Sequence, residues 1–377
     1  MPFGYLFSTA VAAVAPMLAL WPRPSRGPRA TPAFVVESIA NELPFPVVYW
    51  LAATTLLAVA QGDIGTPVGW FGLAIAAGAV VAEAAVVRRA LAARPALDAA
   101  LTSGLGLGVP RPAAARVRRA AEVLIAPLRI TPRAVQRNRD ISYGPEGRFN
   151  LLDIYRNRSH SGASPVFLYF HPGGFFSGRK SREARPLIDR LVAGGWICVS
   201  ANYRLSRAGK YPDPLVDAKR AIAWIRGHAD ELGVDRHMVF VAGGSAGAHL
   251  AAMCALTPND ARFQPGFESA DTSVAAAITL YGYYGPAPAA AETPSSPCDF
   301  VHTGAPPFLV VHGTHDAMTH VNGAREFVAA LRTHTRAPVV YAELPGAQHN
   351  FDRFPSIRFA AVVDAIVVFT SWVRSTS

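Results

Sequence analysis

Cysteine is scarce in this chain. Cys198, Cys254 and Cys298 are the only three in 377 residues, and their spacing matches neither a disulfide framework nor a metal knuckle. A thiol-stapled scaffold is thereby excluded, and the chain fits a reducing compartment. No group of His, Cys, Asp and Glu has metal-ligand spacing, so neither metal nor cofactor is expected. Lysine is rare beside arginine, and acids are few: 26 Asp and Glu against 36 Lys and Arg, a formal charge of +10. The excess is concentrated. From Arg88 through Arg139 there are eleven Arg against Asp98 and Glu122. A basic block beside apolar runs argues for a membrane surface and against nucleic acid. Internal repeats are missing. Gly104-Leu105-Gly106-Leu107-Gly108 looks like a nucleotide loop, but no strand precedes it and Pro110 follows, so it reads as a flexible linker.

Charge is also missing from three stretches of the N-terminal third. Phe3 to Trp21 and Pro46 to Ala60 carry none, and Val68 to Val87 carries only Glu83. Crossing a bilayer takes about 20 residues, so these predict three membrane helices within residues 1–90, the second one short. A buried helical hairpin is the competing reading for the second and third runs. Met1 to Ser8 has no Lys or Arg, which speaks against a cleaved signal and for a retained anchor. Arg23, Arg26 and Arg29 follow the first run, the loop Gln61 to Pro67 has no base, and Arg88 and Arg89 follow the third. The positive-inside rule then places the rest of the chain in the cytoplasm. Glu83 is expected as interfacial polarity. Residues 91–139 read as a basic amphipathic linker or lid, with Ala113 to Arg139 lying on the membrane or over a site.

From residue 140 the pattern changes. Asp140 to Gly144 and Phe149 to Tyr155 alternate as a hairpin. Strands at Pro165–Phe170, Trp196–Ser200, Met238–Ala242, Val274–Leu280, Pro307–Val311 and Val339–Leu344 alternate with helical segments, one from about Pro214 to Leu232. This predicts an α/β fold, a mostly parallel sheet with helices on both faces.

The most informative stretch is Gly243-Gly244-Ser245-Ala246-Gly247, the only G-x-S-x-G present. A strand-like run leads in and an Ala-rich run leads out. A serine on such a turn exposes its hydroxyl with a helix N-terminus behind it. A serine nucleophile needs a base and a carboxylate to orient that base. Asp316 lies just past one predicted strand and His349 just past the next, on the edge where open α/β sheets place their sites. His312, His315 and His320 are too near Asp316 to come from a separate strand end and read as loop polarity. Asp352 is badly placed to orient His349, and Glu343 lies inside its strand. The oxyanion needs donors. His171-Pro172-Gly173-Gly174 follows a strand, and proline has no N–H, so the candidate donors are Gly173, Gly174 and Ala246. Phe175, Phe176, Tyr203, Tyr281 and Tyr283 are candidates for the substrate pocket.

With these motifs, and with Asn202-Tyr203-Arg204-Leu205, His312 to Asp316 and Gly346-Ala347-Gln348-His349, the chain resembles the hormone-sensitive-lipase-like branch of α/β-hydrolase esterases from about Ile141 onward. It departs from the family pattern at Gly244, where Asp is frequent, and at Pro172, where Gly is usual. The resemblance implies a Ser-Asp-His triad, Ser245, Asp316 and His349, hydrolysing a small or lipid-like ester. The expected organisation is a membrane segment at 1–90, a linker or lid at 91–139 and a catalytic domain at 140–377. Alternatives are a prenylcysteine-type methylesterase or an acyltransferase on the same residues, and a non-catalytic binding protein on a hydrolase fold. Tyr281 to Ala305 is short for a cap, so the N-terminal region is expected to roof the site.

Overall fold

A computed structural model describes residues 2–21, 32–106, 123–125, 134–158, 162–205, 208–288, 290 and 293–376. Eight strands form one sheet: β1 (Val135–Ser142), β2 (Leu151–Asn157), β3 (Ser164–Phe170), β4 (Ile197–Ala201), β5 (Val234–Gly244), β6 (Ala276–Leu280), β7 (Phe308–Gly313) and β8 (Val339–Leu344). Their order is β1-β2-β4-β3-β5-β6-β7-β8. The β1–β2 and β2–β4 pairs are antiparallel, and every pair from β4 to β8 is parallel. Strands covered on both faces need apolar residues throughout. Accordingly β3, β6 and β7 are buried along their whole length. The edge strand β1 is polar, Val-Gln-Arg-Asn-Arg-Asp, as an unpaired edge tolerates.

Alternate side chains of each strand enter different layers. Val166, Leu168 and Phe170 pack with α7 (Asp213–Gly227), α9 (Ala246–Leu256) and α10 (Val321–His334). Phe167 and Tyr169 pack with α5 (Ala93–Leu105), α6 (Arg185–Ala193) and α11 (Ile357–Thr376). The helix expected from Pro214 to Leu232 is two: α7, and after a break at His228 the short α8 (Ala229–Leu232).

Helix α5 lies inside the stretch read as a linker. Ala93, Leu97, Leu101 and Leu105 recur every fourth residue, and this stripe is buried on the sheet and α11. Gly104 sits so close to Val340 that a Cβ would come within 2.7 Å of its side chain. Gly104-Leu105 is therefore helix and Gly106 its left-handed cap, while Leu107 and Gly108 lie outside the described residues. The helix expected over Ala113 to Arg139 also falls mostly outside them. Its last part is strand, because β1 starts at Val135.

Ahead of α5 come α1 (Pro2–Leu20), α2 (Pro32–Glu42), α3 (Pro44–Ala60) and α4 (Pro67–Leu91). Proline opens each, a position that needs no N–H. Thr66 caps α4 by accepting from the Gly69 N–H at 3.1 Å. Small residues let α1, α3 and α4 approach: Leu51, Ala76 and Ala79 form one cluster, and Gly72 leaves room for the Tyr5 ring. Phe3, Phe7, Val14, Met17, Leu56, Leu57, Trp70, Phe71 and Val81 face outward. Two helices among the described residues are long and apolar enough to cross a membrane, or three if α2 and α3, bent by 86° to each other, make one broken span. Helix α2 was not foreseen. Glu83, expected at an interface, is buried within the helical layer.

Candidate active site

Strand β5 delivers its last residues to the sheet edge, and α9 begins one residue after Ser245. Ser245 joins them with φ 54° and ψ −117°. A non-glycine residue with that φ is strained and persists only where its surroundings over-determine it. Three backbone bonds do so: the Ser245 N–H donates to Leu280 O (3.0 Å), and its carbonyl accepts from His249 N (3.1 Å) and Tyr283 N (3.4 Å). The flanking glycines are obligatory for space. A Cβ on Gly243 would meet the Gly247 carbonyl, and one on Gly247 would meet the carbonyls of Phe170 and His171.

Gly244, where the sequence departs from the family pattern, has a local reason. A Cβ there would run into the Tyr281 hydroxyl and lie 2.8 Å from its ring edge. That hydroxyl donates to Asp352, which also accepts from Tyr169 at 2.6 Å. Asp352 is thus committed to two tyrosines beneath the turn. The Tyr281 ring in turn lies 4.7 Å, centroid to centroid, from the His349 ring, in an edge contact.

Asp316 and His349 come together at the ends of β7 and β8. His349 Nδ1 is 2.7 Å from Asp316 Oδ2. Asp316 also accepts from the N–H groups of Met318 (2.9 Å) and Thr319 (2.8 Å) and from Thr319 Oγ1 (3.0 Å). Burial alone would raise this carboxyl, but the imidazoles of His349 and His312 hold it well below the usual carboxylate range. An ionised carboxylate cannot donate, so the hydrogen between the two lies on His349 Nδ1. His312 is buried with Nε2 2.7 Å from Thr319 O and 3.4 Å from Asp316, shaping the turn. His320 caps α10. Glu343 pairs with Arg325 at 2.7 Å.

After β3, His171 is buried and stacked on Tyr203 with centroids 4.4 Å apart. The Tyr203 hydroxyl donates to His171 O at 2.7 Å, so it supports this loop and is spent. Burial lowers the His171 imidazole to about 4, leaving it neutral. Gly173, at φ +140°, has a conformation closed to other residues, and its carbonyl accepts from Phe176 and Ser177 N–H at 3.0 Å. Among the described residues no acceptor meets the N–H groups of Gly173, Gly174 or Ala246. Phe175 is buried against His249 and Tyr203, whereas Phe176 stands 61 % exposed.

Sequence reasoning missed two supports. Thr319 touches both Asp316 and His349, its Oγ1 lying 3.2 Å from His349 Nδ1. The Gln348 Oε1 accepts from Ala317 N (2.7 Å) and His349 N (3.1 Å), tying the two loops. Only adjacency to Asp316 and His349 signalled either.

A parallel sheet ordered in this way, with a strained serine after β5 and an Asp–His pair after β7 and β8, has the arrangement of an α/β-hydrolase. Comparison with known proteins agrees. The family model described as BD-FAE matches residues 152–287. The probable carboxylic ester hydrolase LipM of Mycobacterium tuberculosis is 41 % identical over 313 residues, covering 74 % of this chain and 73 % of that protein. Esterase LipQ of the same organism is 42 % identical over 256 residues, 61 % of each chain. Among solved structures, the apo form of Thermogutta terrifontis esterase 2 superimposes with a TM-score of 0.54 at 26 % identity, covering 65 % of this chain and 97 % of that one. The chain belongs to the hormone-sensitive-lipase-like family of α/β-hydrolases and is a carboxylic ester hydrolase.

Proposed function

We propose that the chain is a membrane-anchored serine carboxylesterase acting on apolar, lipid-like esters. Ser245 Oγ attacks the ester carbonyl while His349 Nε2 takes its proton. Asp316 holds the Nδ1–H tautomer and stabilises the imidazolium. The N–H groups of Gly173, Gly174 and Ala246 receive the oxyanion. Collapse expels the alkoxide, which takes the proton from His349. Water, activated by His349, then attacks the acyl-enzyme and releases the acid. The observation carrying this reading is the 2.7 Å bond between His349 and Asp316 at the strand edge that presents Ser245.

The anchoring part rests on α1, α3 and α4, whose outward faces are apolar. Water would penalise that much exposed apolar surface, and lipid would not. Arginine placement supports a cytoplasmic hydrolase sheet. Ester turnover by Ser245→Ala and His349→Ala variants tests the chemistry: each should lose several orders of magnitude. A reporter active only in the cytoplasm, fused after Arg139, tests the topology; signal is expected, and signal from an export-dependent reporter instead reverses it.

A further inference from the structure

Helix α2 has an unusual polarity. Glu37, Asn41 and Glu42 recur at helical spacing and are all buried, whereas Val35, Val36 and Ile39 are exposed. A helix on a water-facing surface does the reverse. The buried polar face meets the loop that carries His349. Glu37 Oε1 accepts from Gln348 Nε2 at 2.5 Å. Asn41 Nδ2 donates to Gly346 O at 2.9 Å. Glu42 accepts from Ser356 Oγ at 2.5 Å and pairs with Arg358, which also donates to Asn41 O at 3.3 Å. Beyond the bend, Tyr49, Trp50, Leu56 and Leu57 of α3 are exposed as well.

Gln348 converts this docking into a matter of catalysis. One of its amide atoms is held by Glu37, and the other receives the N–H of His349 and the N–H that follows Asp316. Fixing Nε2 therefore fixes the oxygen on which both loops hang. A carboxamide without its Nε2 partner can rotate about its last torsion, and the two loops then lose their common acceptor. We propose that Glu37 of α2 is a positioning residue, acting through Gln348 to hold Asp316 and His349 in register. The membrane segment on this view is part of the working site and more than a tether. The inference rests on the Asp316–His349 assignment above.

The test uses full-length protein in detergent micelles, with p-nitrophenyl butyrate and a fluorophosphonate as probes. Glu37→Leu keeps the size and removes the acceptor; Glu37→Gln keeps an acceptor oxygen. Glu37 is taken to act through Gln348, so the expected signature is in kcat. Glu37→Leu should lower kcat by about 10- to 100-fold, the range that small misplacements of catalytic groups produce. KM should stay within twofold, and the phosphonylation rate should fall with kcat. Glu37→Gln should recover kcat to within threefold of the parent. Gln348→Met, which removes the carboxamide that Glu37 holds, should lower kcat as Glu37→Leu does at unchanged KM, and decides the matter if Glu37→Leu does not fold. Parental kcat in Glu37→Leu or in Gln348→Met overturns the proposal, as does a Glu37→Gln variant as slow as Glu37→Leu. Ser245→Ala in the same assay keeps the two readings apart: turnover there refutes the triad, whatever α2 does.

Discussion

Replacing Asp316 by Asn separates charge and tautomer from shape. The buried carboxylate accepts from His349 Nδ1, from two backbone N–H groups and from Thr319 Oγ1. An amide oxygen can keep the contacts to Met318 and Thr319, and the amide nitrogen then faces His349. That nitrogen donates, so Nδ1 must accept, and the hydrogen moves to Nε2, where no proton can be taken from Ser245. A tautomer error of this kind in the serine-protease triad costs about 10⁴ in kcat, roughly 5.5 kcal/mol. A loss of about 10³- to 10⁴-fold is expected here, with KM little changed. The carboxyl sits below its ordinary range in the fold, so it contributes stability above the unfolded carboxylate range and loses it as the pH falls through the folded value. The Tm difference between parent and Asp316→Asn should therefore be largest near neutral pH and shrink in strong acid. Initial rates on p-nitrophenyl butyrate at neutral pH and scanning calorimetry from pH 1.5 to 8 measure both. An Asp316→Asn variant within tenfold of the parent, beside an inactive Asp352→Asn, would refute the assignment.

The remaining expectations are narrower. Pro172→Gly should alter turnover little, because that position offers no needed donor. Gly174→Val should cost about 10²- to 10³-fold in kcat by displacing donors, and equal losses at the two sites would sink this division. Gly244→Ala should destabilise by about 1–3 kcal/mol and slow turnover, because the added Cβ presses on a Tyr281 pinned to Asp352 and resting on His349; parental Tm and kcat would contradict it. Arg358→Met should lower stability by about 3–5 kcal/mol, since it strands Glu42 in a buried site; urea denaturation reads it.

The candidate site was legible because its signals are local. Ser245 needs small neighbours within two residues, and Asp316 and His349 each follow an apolar strand directly. What the sequence concealed depends on distant partners. Helix α2 has no long apolar run, and the use of Glu37 and Glu42 becomes visible only against Gln348 and Arg358, some 310 residues on. Helix α5 was hidden by glycines at its end, although Leu97, Leu101 and Leu105 carried its period. Strand β1 read as part of a basic segment because an edge strand is free to be polar. Asp352, set aside for its spacing from His349, is bound to Tyr169 and Tyr281, a pairing that only the sheet order brings about.

Peptide mapping by mass spectrometry after reaction of the full-length protein with a fluorophosphonate tests the central claim most directly. The account predicts a single phosphonyl adduct on Ser245, absent in Ser245→Ala, formed at least 10³-fold more slowly in His349→Ala, and rising in the parent in step with the loss of esterase turnover. An adduct on another serine, or full turnover by a protein stoichiometrically labelled at Ser245, would contradict it.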